Sequence, residues 1–264
     1  MDNYEALCNN VCELSRTVGK FLQTEISKIK QTDIETKGIN DFVTYVDKTS
    51  EQKLVKTLSE LLPEAGFIAE ENTSDKKGDT YNWIIDPLDG TTNFIHGLPC
   101  YSISIALKKL DKLVLGVVYE INQDECFYAW EGSKAFLNNK PISVSDSQTI
   151  SNSLLATGFP YYDYSKLDAY MELFTHLLQK SHGIRRLGSA AVDLAYVACG
   201  RVDGFYEYGL RPWDVAAGAF IVQQANGNLA DFKGEKNYLF GKEIIATNPF
   251  IFNEFLALLQ KYFN

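Results

Sequence analysis

The stretch Trp83-Ile84-Ile85-Asp86-Pro87-Leu88-Asp89-Gly90-Thr91-Thr92-Asn93-Phe94 narrows the possible folds more than any other part of the chain. An apolar, β-prone run breaks at Asp86-Pro87, and two carboxylates then stand three positions apart, ahead of a glycine and two hydroxyls. Proline lacks the N–H that a central strand needs. A turn is therefore expected at Pro87, with Asp86 and Asp89 facing each other across it and the Leu88 carbonyl between them. Hard oxygen donors held that close suit Mg²⁺, which takes one or two carboxylates and completes its shell with water and phosphate. Gly90-Thr91-Thr92 adds backbone N–H groups and hydroxyls of the kind that cradle phosphate where a helix begins. D-P-x-D-G alone is also the composition of an ordinary surface turn, so the rest of the chain has to decide.

At 264 residues the chain can bury a substantial core. The polar run Asp146 to Asn152 divides it, giving one domain over residues 1–264 with two packed halves, about 1–147 and 148–264. Hydrophobic content of 45% with 22% charged residues is that of an ordinary globular protein. The net charge of −9 argues against nucleic acid or an anionic membrane as partner, because both repel an acidic surface. Met1-Asp2-Asn3-Tyr4-Glu5 has neither the basic start nor the apolar core of a secretory signal. No apolar run reaches the roughly eighteen residues of a membrane span. Cys8, Cys12, Cys100, Cys126 and Cys199 are odd in number and form no C-x-x-C pair, which suits reduced thiols in a cytoplasm. Cys8 and Cys12 read as small core residues.

The spacing of Tyr4, Leu7, Val11, Leu14, Val18 and Phe21 predicts a helix over about 3–29, followed by a polar loop over 37–40. Thr44 or Asp47 can cap the next helix, which Leu54, Val55, Leu58, Leu61 and Leu62 mark out before Pro63. Gly66 to Ala69 reads as a strand ending on Glu70-Glu71, and 72–80 as a mobile surface loop that can cover a site. Residues 101–107, 113–119 and 125–130 predict a largely antiparallel sheet. The second half reads as a strand at 153–157, a helix at 166–180, a helix to Cys199 that Ser189 can cap, and a strand at 203–207. A helix opened by Pro212 follows, then strands at 228–232 and 243–247 and a closing helix at 249–263.

Asp86 to Phe94, preceded by Glu70-Glu71 and followed by Trp213-Asp214-Val215-Ala216-Ala217-Gly218, resembles the inositol monophosphatase family of Mg²⁺-dependent, lithium-sensitive phosphatases. The likeness runs from Asp41 to about Asp231. It implies a layered αβαβα sandwich, of α/β (α+β) class and of the inositol monophosphatase and fructose-1,6-bisphosphatase type, commonly a homodimer. It also implies two or three Mg²⁺ ions, with Mn²⁺ as a substitute and Li⁺ as an inhibitor. Glu70, Asp86 and the Leu88 carbonyl are expected to hold one ion, and Asp86, Asp89 and Asp214 another. Glu70 and a Thr91–Asp47 pair are expected to activate water, and the N–H groups of Gly90 and Thr91 to bind phosphate. Gly188, Ser189, Ala190 and Glu207 fall where the family contacts the ring of a sugar or polyol.

The implied activity is hydrolysis of a small phosphate ester, inositol-1-phosphate above all, with fructose 1,6-bisphosphate or another sugar phosphate as the alternative. Thr92 stands where superfamily members acting on adenosine bisphosphates carry lysine. Arg185-Arg186 either reaches a second phosphate or decorates the surface. His96, His176 and His182 lie outside every motif, against a phosphohistidine route. Some bacterial relatives bind transcription machinery, so a mainly regulatory, protein-binding role is the competing expectation.

Overall fold

The computed structural model describes residues 3–28, 34–38, 41–161 and 163–263. The chain opens with α1 (Tyr4–Glu25), capped by the Asn3 side chain, which accepts from the Ala6 N–H at 3.1 Å. The helix stops four residues short of the position its periodicity suggests. Next comes an antiparallel hairpin, β1 (Ile34–Gly38) and β2 (Asp41–Thr44), where a loop over 37–40 was expected. Residues 39 and 40 lie outside the described residues. Both capping candidates for α2 (Tyr45–Leu61) are used: Thr44 accepts from Val46 N, while Asp47 Oδ2 accepts from Thr44 N and from its hydroxyl.

The next element, β3 (Gly66–Ala69), pairs in parallel with β4 (Tyr81–Asp89). From β4 the chain runs through the single-turn α3 (Thr91–Ile95) into an antiparallel meander of β5 (Ser102–Lys109), β6 (Lys112–Glu120), β7 (Glu125–Trp130), β8 (Ala135–Leu137) and β9 (Lys140–Ile142). The expected break at Pro87 does not occur, because β4 continues to Asp89. Its register to β5 shifts between Asp86 and Asp89, and β3 reaches only as far as Ile85. The proline thus sits in a bulge with no neighbour on the β3 side, where a missing N–H costs no ladder bond.

A second sheet follows: β10 (Leu154–Thr157), then α4 (Leu167–Lys180), β11 (Gly183–Arg185), α5 (Ala190–Ala198), β12 (Gly204–Tyr208), α6 (Pro212–Gln224), β13 (Asn228–Ala230), β14 (Glu243–Thr247) and α7 (Phe252–Phe263). Its strands lie in the order β11-β10-β12-β14-β13.

Three apolar cores separate the layers. One lies between α1 and α2 and the seven-stranded sheet, through residues such as Leu22, Leu54, Trp83 and Ile105. A second holds α5 and α6 between the two sheets, through Ile84, Ala106, Leu194 and Val215. The third joins the five-stranded sheet to α4 and α7 through Tyr206, Tyr170 and Phe255. The sequence of layers is αβαβα, as the family resemblance implies. Among the described residues no helix is long and apolar enough to cross a membrane.

The central layer is seated unusually closely. A Cβ built on Gly116 of β6 would come within 2.7 Å of the Ala217 carbonyl of α6. We expect Gly116→Ala to lower stability by about 1–3 kcal/mol, the usual range for overpacking, read as a drop in Tm by calorimetry.

Candidate active site

Most of the residues singled out in the sequence line one cavity of about 360 Å³ between the two halves: Glu70, Asp86, Leu88, Asp89, Gly90 and Thr91 from the first, and Gly188, Ser189, Ala190, Glu207 and Asp214 from the second. The fold brings them together at element ends. Glu70 follows the last residue of β3, Asp86 to Asp89 form the bulged end of β4, and Gly90 is the N-cap of α3 in a left-handed conformation, φ 96°. Ser189 caps α5, Asp214 lies in the first turn of α6, and Glu207 is on β12. The N-termini of α5 and α6 therefore bring partial positive charge to the cavity wall.

Each carboxylate is held through one oxygen by a backbone N–H. Asp86 Oδ1 accepts from Leu88 N at 2.8 Å, Asp89 Oδ2 from Ala191 N at 2.7 Å, and Asp214 Oδ2 from Arg211 N at 2.7 Å. Asp89 Oδ2 also accepts from the Ser189 hydroxyl at 2.6 Å. Among the described residues no Lys, Arg or His forms an ion pair with any of the three. Burial, aggravated by Glu70, Asp89 and Asp214, raises Asp86 well above the usual carboxylate range. Burial also lifts Asp89 to about 6, against the pull of its hydrogen bonds, and raises Asp214, with Asp89 adding to the effect. A charged cluster of this kind is costly without a compensating cation.

The donors are hard oxygens, suited to Mg²⁺ rather than to a thiophilic metal. Among the described residues no three His, Cys, Asp or Glu side chains close into a preformed metal cage. Asp86, Asp89 and Asp214 nevertheless line one cavity, where an ion would complete its shell with water and substrate.

Asp47 does not line the cavity. It lies buried behind Thr91, whose hydroxyl is 3.3 Å from Asp47 Oδ1 and 3.0 Å from the Leu88 carbonyl. Its other oxygen carries the helix cap, so capping and pairing with Thr91 coexist. Ser189 likewise caps α5 through Val192 N while holding Asp89. The stretch 72–80 contributes nothing to the cavity wall. It is anchored by Phe67 N to the Lys76 carbonyl, and by Thr73, whose N–H and hydroxyl both donate to buried Glu51.

Other wall residues escaped the sequence reading. Asp193, in an otherwise apolar turn of α5, is buried with no partner for Oδ1 and is raised well above the usual range, chiefly by burial. A lone acid inside Ala-Ala-Val-Asp-Leu-Ala was the available signal. Gly158 faces Glu207 so closely that a Cβ there would lie 1.9 Å from the Glu207 carboxyl carbon. Arg186, one of the two arginines expected either to reach a second phosphate or to decorate the surface, lines the cavity, its guanidinium 5.4 Å and 5.2 Å from the ring centroids of Phe159 and Tyr161. Arg185 instead donates to the Ile184 carbonyl and is exposed.

A sequence model of the inositol monophosphatase family matches residues 3–262. The Nus factor SuhB of Pseudomonas aeruginosa is 38% identical over 263 residues, covering 98% of this chain and 97% of that protein. Among solved structures, the extragenic suppressor protein suhB of Bartonella henselae superposes with a TM-score of 0.91 at 36% identity, over 97% of this chain and 99% of that one. The inositol monophosphatase of Anabaena (Nostoc) sp. PCC 7120 gives 0.87 at 34% identity, over 99% and 98%. Relatives that carry the name Nus factor overturn the exclusion of nucleic acid drawn from net charge. The physical error is that the sum of −9 counts acids that never reach the outer surface: Asp47, Glu51, Asp86, Glu120, Asp193 and Asp231 are all buried. The motif spacing, the layer order and these matches agree that the chain belongs to the inositol monophosphatase family.

Proposed function

We propose that the chain is a Mg²⁺-dependent, lithium-sensitive phosphomonoesterase that hydrolyses inositol-1-phosphate and related sugar phosphates in the cytoplasm, using residues from both halves as one catalytic unit. The observation that carries this reading is the convergence of Asp86, Asp89 and Asp214 with Glu70 and Thr91 on one cavity, with no cation paired to the three aspartates among the described residues. Glu70, Asp86 and the Leu88 carbonyl would hold one Mg²⁺, and Asp86, Asp89 and Asp214 a second. When bound, the ions supply an activated water and neutralise charge on the leaving ester oxygen.

The remaining work falls to the protein. The Thr91 hydroxyl, itself fixed by Asp47, orients the attacking water, and the Glu70 carboxylate takes its proton. The N–H groups of Gly90 and Thr91 meet the phosphate oxygens as charge builds on them. Gly188, Ser189, Ala190 and Glu207 contact the polyol ring. Arg186, steadied by two aromatic faces, favours substrates with a second anionic group, which keeps fructose 1,6-bisphosphate as the alternative.

Phosphate release from inositol-1-phosphate with Mg²⁺, and its loss on chelation, tests the reading. We expect Asp214→Asn to reduce turnover at least 100-fold, in line with removal of a group that stabilises the transition state, and to abolish the rise in Tm that Mg²⁺ gives the wild type. No release from inositol-1-phosphate or any sugar phosphate would defeat the proposal.

Glu207 supplies a pH test. Burial, offset in part by Arg186 and reinforced by Asp89, lifts its pKa from 4.5 to about 8. A folded-state value above the unfolded one stabilises the fold at low pH, and that contribution disappears as pH rises through about 8. The Tm of the metal-free wild type relative to Glu207→Gln is therefore expected to fall from pH 5 to pH 9. A difference independent of pH would show that Glu207 is not held neutral.

A second reading rests on the relatives named Nus factor: a regulatory role carried by a protein partner, independent of hydrolysis. In the organism of origin, a deletion phenotype restored by a hydrolysis-dead Asp89→Asn variant would support this role, and failure to restore it would favour the enzyme.

A further inference from the structure

Ser102 and Ser104 are both buried and lie two positions apart on β5. Ladder pairing sets Ser102 opposite Asp89 and Ser104 opposite Asp86. Neither serine lines the cavity, yet each reaches the second half of the chain through its hydroxyl. Ser189 commits its single proton to Asp89 Oδ2 at 2.6 Å, so in the 3.2 Å contact between Ser102 Oγ and Ser189 Oγ the donor is Ser102. Ser104 Oγ donates to the Trp213 carbonyl at 3.0 Å, on the peptide that leads into Asp214. One serine therefore steadies the group that holds Asp89, and the other fixes the backbone that carries Asp214.

The strand face is suited to this contact. Beyond Ser104 it continues with Ala106, which pairs with Gly116 of β6, where a Cβ would come within 2.7 Å of the Ala217 carbonyl of α6. Small side chains let the helix approach. A buried hydroxyl without a partner would be costly, and α5 and α6 docked on the sheet provide both partners. Apolar branched residues would pack the same interface farther apart and would fix no orientation.

We propose that Ser102 and Ser104 are positioning residues that fix the elements bearing Asp89 and Asp214 relative to one another, so that a divalent cation can draw Asp86, Asp89 and Asp214 together. The proposal rests on the phosphatase reading above, and it makes cation affinity a property of how α5 and α6 seat on β5. Residues acting in this way touch no substrate, so their loss weakens cation binding and leaves the KM for the ester at saturating Mg²⁺ unchanged.

Calorimetric titration of Mn²⁺ into the metal-free, full-length protein without substrate provides the test. We expect Ser104→Ala to bind Mn²⁺ about 10-fold more weakly than the wild type, the lower end of what loss of an outer partner does to a metal site. Ser102→Ala should weaken it in the same direction. Ser15→Ala, which removes a buried hydroxyl bonded only within α1, should bind as the wild type does. If Ser104→Ala does not fold, the near-isosteric Ser104→Cys, a much weaker donor, carries the same expectation. A lowered metal-free Tm with unchanged Mn²⁺ affinity would mean that the serines only pack the interface, and would overturn the proposal. A wild type that binds Mn²⁺ yet releases no phosphate defeats the phosphatase reading while the titration still decides the serines' role. A wild type that binds no Mn²⁺ overturns both.

Discussion

Repulsion among Asp86, Asp89 and Asp214 is the constraint that the surrounding structure answers. Three acids facing one cavity, without a paired cation, tend to turn away from one another or take up protons. The chain prevents the first by fixing each carboxylate from behind through a backbone N–H: Leu88 N in the β4 bulge, Ala191 N in the first turn of α5 and Arg211 N ahead of α6. The last two belong to helix N-termini, whose partial positive charge lowers the cost of holding an anion there. Proton uptake is the second escape, and the raised positions of all three aspartates show how strongly burial drives it. A divalent ion bound there would remove that drive, and cation binding and the stability of the central layers would then be one linked equilibrium.

The same constraint explains why two sheets are needed. Asp86 and Asp89 come from the end of a strand in the first sheet, while Asp214 comes from a helix packed between the sheets. The β4 bulge brings Asp86 and Asp89 to one side, and Asp214 lies far along the chain, so the three meet only because α6 packs against the first sheet. Convergence therefore depends on how α5 and α6 seat on β5 and β6, where Gly116, Ala106 and the two serines keep the helices near the sheet.

Much of this was legible in the residues, and the misses share a cause. Regular periodicity gave α1, α2, the meander and the helices of the second half close to where they lie. Asp86, Asp89 and Thr91 stood out because their chemistry is concentrated in a few consecutive positions. Pro87 misled because proline's lack of an N–H matters only where a neighbouring strand needs it, and the pairing of β3 along β4 ends at Ile85. Lys37 and Gly38 were read as part of a loop because they are polar or small, yet they end β1, whose pairing is set by the partner strand. Glu51, Ser102 and Ser104 were not singled out in their own segments, yet each is buried. Glu51 and the serines take roles only from distant chain: Glu51 from Thr73, the serines from Ser189 and Trp213. Local pattern reports what a segment can do alone and says little about which distant backbone will sit against it.

Net charge failed for a related reason. A formal sum treats every acid as surface, whereas this fold draws acids inward and uses some of them to anchor loops and caps, as Asp47 and Glu51 do. What a partner meets is the outer distribution, which the total does not determine. A scaffold that encloses its chemistry between two sheets leaves its outer helices α1, α4 and α7 free of catalytic duty. Relatives sharing more than a third of their residues can therefore carry names as different as inositol monophosphatase and Nus factor on one architecture. Were this chain to combine the proposed hydrolysis with a partner contact, the first would use the cavity wall, and a substitution confined to that wall would leave the outer helices unchanged.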